Sequence, residues 1–153
     1  MNAATISPQG CTNFKLRQLT RRVTRHFDAA LAKSGLKTTQ YSLLSHVLRM
    51  GPLRPVDLAR AMGVMPSTLT RNLQPMVAAG WIALDEGVDA RSRSIRLTEA
   101  GREKRAEAQR CWRRAQTTLN AVLGEARVLA LHALIDESMA LLADDAHPGD
   151  DDA

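Results

Sequence analysis

The sequence predicts a mainly α-helical fold that carries one small β-hairpin, in the order α-α-α-α-β-β-α-α. Most of the chain places apolar residues three and four positions apart, as amphipathic helices do. Only residues 81–97 differ, because a turn-rich segment there is flanked by short runs of apolar and alternating residues. Aromatic residues make up just 3% of the chain, so Leu, Ala, Val and Met must build the core, and these favour helices.

Glycine and proline delimit the predicted helices. The first ends at Gly35, the second is capped by Thr38 and Thr39, and Gly63 separates two short helices that each have proline in the first turn. In the second helix, we expect Tyr41, Leu44, Val47 and Leu48 to face inward. The predicted helical spans are about 13–34, 38–50, 55–62, 66–79, 99–122 and 126–143, with strands at about 81–85 and 93–97.

The two short helices around Gly63 have the spacing of a helix-turn-helix. In such a unit the second helix enters the DNA major groove, with its early residues at the base edges. Leu69, Leu73 and Met76 are spaced to face inward, which leaves a polar side of hydroxyl, amide and arginine groups. The alternative is an ordinary amphipathic helix with a solvated side. The predicted DNA-facing residues are Pro66, Ser67, Thr68, Thr70, Arg71 and Gln74.

The hairpin that follows has a basic tip and indicates a winged variant of this motif. We predict that Arg91 at the tip enters the narrow, electronegative minor groove. Asp89 is predicted to accept hydrogen bonds from a guanidinium group and to set the geometry of the tip. Arg93 and Arg96 either contact phosphates or lie on solvated strand faces.

The charge distribution agrees with a polyanionic partner. The formal net charge is +5, but the last ten residues contain five aspartates and no Lys or Arg, so the other 143 residues carry +10. The first ten residues do not read as a signal peptide, and no apolar run approaches the roughly 20 residues of a membrane span. Two cysteines are too few for a disulfide framework or a zinc site. We therefore expect a cytoplasmic protein.

Residues 58–82 (LARAMGVMPSTLTRNLQPMVAAGWI) and 89–101 (DARSRSIRLTEAG) resemble the MarR (multiple antibiotic resistance regulator) family, and the resemblance extends over about 12–143. It implies a sequence-specific transcriptional regulator, usually a repressor, that binds a pseudo-palindromic operator in double-stranded DNA as a homodimer. The implied organisation is a pair of dimerisation segments at 11–36 and 99–143 around a winged helix-turn-helix unit at 37–98. The sequence itself predicts a flexible arm at 1–10, where Pro8 and Gly10 break regular structure, and a disordered acidic tail at 144–153.

The resemblance also implies a pocket for a small effector, often an aromatic acid or phenol, between the first, second and fifth helices. An arginine there would pair with a carboxylate of the effector. Simple packing or surface charge is the alternative for each candidate residue. The candidates are Phe14, Arg17, Arg21, Tyr41, His46 and Trp112.

Other functions remain open at the level of sequence. Cys11 directly precedes the first helix, at the positive end of the helix dipole, so redox sensing by Cys11 is an alternative switch. A non-specific architectural DNA-binding protein and a helical scaffold are further alternatives. The four histidines are scattered, and the chain has no phosphate loop or metal-ligand spacing. We therefore expect no enzyme, no metal and no cofactor, with a small aromatic effector as the expected ligand.

Overall fold

The computed structural model describes residues 9–87 and 93–144, and within them it has the predicted order of elements. Two of the segments predicted from sequence, most of the N-terminal arm and the tail from Asp145 onward, lie outside the described residues, as does the tip of the hairpin. The elements are α1 (Thr12–Leu31), α2 (Thr38–Met50), α3 (Pro55–Met62), α4 (Pro66–Ala78), β1 (Ile82–Asp85), β2 (Ser94–Leu97), α5 (Glu99–Leu123) and α6 (Glu125–Asp144).

The chain forms two compact units, residues 1–115 and 116–153. The first unit contains a hydrophobic core of buried Leu, Ile and Met side chains from α1 to α5. Leu31, Leu43, Leu44, Leu58 and Ile95 are completely shielded from solvent at its centre. This core holds the helix-turn-helix, the hairpin and the first half of α5 together.

The start of α2 differs from the prediction. After a 3₁₀ turn at Ala32–Ser34, Gly35 has the left-handed conformation expected of a residue that ends a helix, with φ of +74°. Thr38, however, is the first residue of α2 and not its cap. Its N–H and its hydroxyl both donate to Asp28 Oδ1 on α1, each at 2.7 Å. The helix is therefore capped by a carboxylate from another element, which local sequence does not reveal.

One inward-facing residue predicted for α2 is also wrong. Tyr41, Leu44 and Val47 are buried as predicted, but Leu48 is 36% exposed and Leu43 is buried in its place. With 3.6 residues per turn, Leu48 points between the directions of Tyr41 and Leu44, so the side of the helix does not explain its exposure. Leu48 lies in the last turn of α2, where Arg49 and Met50 are exposed as well.

The hairpin is short and is extended by a third segment. β1 pairs antiparallel with β2, with Ile82 opposite Leu97 and Asp85 opposite Ser94. Leu53, between α2 and α3, exchanges two backbone hydrogen bonds with Ile95, at 3.1 and 2.8 Å. The hairpin is thereby tied to the segment that leads into α3, so the wing has a fixed base.

The base of the hairpin packs tightly on the start of α5. Thr98 N–H donates to the carbonyl of Trp81, and its hydroxyl donates to the carbonyl of Gly80. Gly101 lies so close that a Cβ there would overlap the Trp81 carbonyl. Lys104 Nζ lies 5.6 Å from the centre of the Trp81 ring and donates to the Ser34 carbonyl at 3.0 Å. These contacts position the wing relative to the end of α1.

The second unit leaves much of α6 in solvent. The helix runs through Asp144, the residue at which the disordered tail was predicted to begin. Apolar residues on α6 are largely uncovered, between 42% and 72% exposed, and they are Leu129, Leu134, Ile135, Met139, Leu141 and Leu142. Among residues 9–87 and 93–144, no single helix is long and apolar enough to cross a membrane.

Candidate nucleic-acid interface

The helix-turn-helix forms because the connection between α3 and α4 is short and closed by backbone hydrogen bonds. Gly63 takes the left-handed conformation, with φ of +63°, and its N–H donates to the Arg60 carbonyl. Val64 N–H donates to the Ala59 carbonyl at 3.0 Å, which completes the turn. Residues with a Cβ rarely adopt this conformation, so Gly63 is the residue that permits the tight turn.

The recognition helix α4 has the two faces that the sequence predicts. Leu69, Leu73 and Met76 are 1%, 6% and 0% exposed and pack into the core. The predicted DNA-facing side chains, Pro66, Ser67, Thr68, Thr70, Arg71 and Gln74, are all exposed. The Thr70 hydroxyl donates to the Pro66 carbonyl at 3.0 Å. Its oxygen therefore remains available as a hydrogen-bond acceptor. All six candidates are therefore accessible to a partner.

An exposed proline, Pro75, lies inside α4. Because proline has no N–H, it cannot donate to the carbonyl of Arg71 four residues earlier. The carbonyl of Arg71 is left without its helical donor on the same helix that presents its guanidinium. The signal was present in the sequence, as a proline within an otherwise periodic segment.

The wing contributes one described candidate. Arg93 is exposed immediately before β2, whereas Asp89 and Arg91 lie outside the described residues. Arg96 is bound by Asp85 across the hairpin, with Nε 2.9 Å from Oδ2 and 3.1 Å from Oδ1. Both side chains are half exposed. Arg96 therefore has an acidic partner on β1 that sequence spacing did not identify.

A further basic cluster lies at the start of α3. Asp57 accepts two hydrogen bonds from Arg54, from Nε at 2.8 Å and from Nη2 at 3.2 Å, and Arg60 Nη1 is 3.8 Å away. The hydrogen bonds from Arg54 hold the pKa of Asp57 below its usual value and raise that of Arg54. One carboxylate thus holds two arginines beside the helix-turn-helix, an arrangement that the sequence reading did not find.

A cavity of about 390 Å³ opens between α2 and α5 in the first unit. Three of the six predicted effector residues, Tyr41, His46 and Trp112, line it. Phe14, Arg17 and Arg21 are not among its lining residues, and Phe14 is 60% exposed on α1. The structure supplies other cations, Arg49 and Arg105, which sequence reasoning missed. The full lining is Thr38, Tyr41, Ser42, Ser45, His46, Arg49, Arg105, Gln109 and Trp112.

Aromatic rings and a guanidinium group form one wall of this cavity. The rings of Tyr41 and Trp112 stack, with centroids 6.0 Å apart, and the Arg105 guanidinium lies 5.7 Å from the Tyr41 ring. Arg105 donates to Ser45 Oγ at 3.2 Å and to Gln109 Oε1 at 2.9 Å. The arrangement places two aromatic rings beside a positive charge whose hydrogen-bond partners are neutral.

The two cysteines occupy different environments. Cys11 is exposed at the residue that precedes α1, as the redox hypothesis requires, while Cys111 is half-buried against the core. Both are free thiols. In the part of the chain that the structure describes, no group of three or more His, Cys, Asp or Glu residues is arranged to hold a metal ion.

Comparison with known proteins places this architecture in a family. A model described as the MarR family matches residues 34–92, which include the helix-turn-helix and β1. The transcriptional regulator MosR of M. tuberculosis is 30% identical, with a TM-score of 0.72, and the match covers 87% of this chain and 98% of MosR. MosR in complex with DNA is 32% identical, with a TM-score of 0.70, over 85% and 98% of the two chains.

More distant relatives have the same character. YwoH of Bacillus subtilis (strain 168), an uncharacterised HTH-type transcriptional regulator, is 25% identical over 61% of this chain and 68% of its own length. The repressor CouR bound to p-coumaroyl-CoA has a TM-score of 0.76 at 20% identity, over 82% and 89% of the two chains, which shows a shared fold. These relatives are regulators and not enzymes. Together with the helix-turn-helix and the polar face of α4, they show that this chain belongs to the MarR family of winged helix-turn-helix proteins and is a DNA-binding transcriptional regulator.

Proposed function

We propose that the protein is a homodimeric repressor that binds a pseudo-palindromic operator and is released by a small aromatic acid or phenol. The observation that carries the proposal is the cavity between α2 and α5, where the stacked rings of Tyr41 and Trp112 lie beside Arg105. The cavity belongs to the same compact unit as the recognition helix. Its occupancy is therefore able to bias the position of the DNA-binding elements.

The charge of the cavity favours an anion. Arg105 is hydrogen-bonded to a hydroxyl and an amide, and Arg49 is exposed on the same rim. Within the described residues, neither arginine has a carboxylate partner. An arginine binds a carboxylate through short, charge-assisted hydrogen bonds. A benzene ring stacked on Tyr41 and Trp112, with its carboxylate on Arg105, satisfies both features of the wall.

The relatives support a regulator that responds to a ligand. CouR, which shares the fold, is a repressor with solved structures bound to p-coumaroyl-CoA and to a 23-mer DNA duplex. A ligand releases DNA only when it binds one conformation better than another. We propose that an aromatic anion stabilises a state of this protein whose recognition helices no longer fit the operator.

The exposed apolar residues of α6 support a homodimer. Leu134, Met139 and Leu141 are each more than 60% exposed, an arrangement that is costly for a helix in water. A second copy would cover them by the same surface, as a two-fold interface requires. Two recognition helices related in this way would reach half-sites one turn of DNA apart, about 34 Å.

We also propose that the protein acts in the cytoplasm and that it needs no cofactor other than the effector.

The experiment is a thermal-shift screen followed by a DNA-release assay. Benzoate, salicylate and p-coumarate are added to the purified protein, and any compound that raises the Tm is then tested for release of DNA from the upstream region of the protein's own gene. We expect at least one compound to do both. Arg105→Met should weaken its binding about ten-fold or more, since a charged hydrogen bond is lost, whereas Arg110→Met, on the exposed side of α5, should not.

Two results would contradict the proposal. If a compound binds tightly and leaves the affinity for the promoter DNA unchanged, the cavity is not an effector site. If the protein binds the promoter and random DNA with equal affinity, it acts as an architectural protein and not as an operator-specific repressor.

A further inference from the structure

The residue that precedes the recognition helix is unusual for its position. Met65 is the N-cap of α4, with an extended backbone, and it provides no side-chain hydrogen bond to the first turn. N-cap positions strongly prefer Ser, Thr, Asp and Asn, because their side chains accept a hydrogen bond from the N2 or N3 amide. A thioether is a weak acceptor and does not replace them.

Met65 also buries little of its apolar side chain. It is 69% exposed, whereas the neighbouring Met62 and Val64 are partly buried against the core. A fully packed methionine gains stability from the area that it removes from water. In the free protein Met65 gains little of this, so the position has both an uncapped helix and an exposed apolar chain.

The place of Met65 in the fold indicates which partner compensates for the missing cap and the exposed side chain. Met65 lies at the N-terminal end of the helix whose exposed face carries Ser67 and Thr68. In a helix-turn-helix this end approaches the base edges of the major groove. The one apolar group that bases present in that groove is the 5-methyl group of thymine. A long, unbranched thioether adapts its shape to such a contact.

We propose that Met65 is a specificity-determining residue that packs against the 5-methyl group of a thymine in each operator half-site. The N-cap preference and the burial of apolar side chains are both unsatisfied at this residue in the free protein, because its contact exists only in the DNA complex. Met65 adds an apolar contact beside the polar side chains of α4. It favours thymine over cytosine at one position without a hydrogen bond.

The test removes the methyl group from the DNA and the thioether from the protein separately. Binding sites are selected from random duplex DNA with the wild-type protein, and each thymine of the selected site is replaced singly by deoxyuridine. For the wild type, one thymine per half-site should lose about four-fold in affinity, the factor for burial of one methyl group. For Met65→Ala the same replacement should have no effect.

Two further variants separate specificity from stability. Val56→Ala removes another exposed apolar side chain, on α3, and should keep the wild-type response to deoxyuridine. Met65→Ser restores a capping side chain, so it should raise the Tm while it abolishes the preference for thymine. A residue with a purely structural role would not produce this combination.

The outcomes are distinct. If wild type and Met65→Ala respond alike to every deoxyuridine replacement, Met65 does not contact a thymine methyl group and the assignment is wrong. It is also wrong if Met65→Ala weakens binding to all sequences equally, which would indicate a backbone contact. A selection that enriches no sequence would overturn operator-specific binding itself, together with this assignment.

Discussion

At the scale of single residues, the structure depends on side chains that join one element to another. Asp28 on α1 caps α2 through both polar groups of Thr38. Asp85 holds Arg96 across the hairpin. Gly101 allows α5 to approach the carbonyl of Trp81. Each of these contacts was invisible to local pattern, although the residue types were in the sequence.

Gly101→Ala is expected to destabilise the protein because a methyl group would overlap backbone atoms that cannot rotate away. Its Cβ would meet the carbonyl of Trp81 and lie 3.0 Å from Leu97 Cδ1. We expect the free energy of unfolding to fall by about 2–3 kcal/mol, as overpacking of a filled core does. Urea denaturation measures this loss. Ala100→Ser, at the exposed neighbouring residue, is the control, and equal stabilities of the two variants would contradict the predicted overlap.

At the scale of elements, the helix-turn-helix followed its sequence closely. The bounds of α3 and α4 match the predictions to within one residue at each end, because proline and glycine set them. The inward set Leu69, Leu73 and Met76 was also correct. The buried residues of α2 were less predictable. Leu43 is buried and Leu48 is exposed because of the neighbours that pack against each of them. The three predicted cavity residues from α2 and α5 did meet, but the three from α1 do not line the cavity.

The recognition helix and the wing should contribute differently to DNA binding. Arg71→Ala, on α4, is expected to lose discrimination at one base position, by about 1–3 kcal/mol. Arg91→Ala, in the segment between β1 and β2, should instead weaken binding to all sequences and reduce the slope of log K against log salt by about 0.9. Fluorescence anisotropy with selected and scrambled duplexes, at several salt concentrations, separates the two effects.

Arg110→Ala, at an exposed position of α5 outside both elements, serves as the reference variant. An Arg91→Ala protein with unchanged affinity and salt slope would argue that the wing does not contact DNA. An Arg71→Ala protein that keeps full sequence preference would remove Arg71 from the base-reading set.

At the scale of the whole molecule, the uncovered apolar residues of α6 are the feature that a single chain leaves unexplained. The net charge of +5 opposes aggregation through repulsion between molecules. Pairing of two copies by a two-fold interface buries these apolar residues. This is the physical reason to expect a dimer as the DNA-binding species.

The double variant Leu134→Glu/Leu141→Glu is expected to be monomeric, because it places two carboxylates in the surface that a second copy would cover. Light scattering should give about twice the chain mass for the wild type and the chain mass for the variant. Operator affinity should fall at least 100-fold, since two linked half-sites gain from effective concentration. His132→Glu, also exposed on α6, is the control, and a wild-type monomer would refute the prediction.

The sequence by itself determined the order of elements, the bounds of the helix-turn-helix and the division of α4 into a buried and a polar face. These follow from helical periodicity and from proline and glycine, which act within a few residues. Only the tertiary structure decided that Asp28 caps α2, that Leu53 joins β2 and that Arg105 meets Tyr41 and Trp112 in one cavity. Such contacts join residues far apart in the chain. They depend on how whole helices pack, and no local pattern specifies that packing.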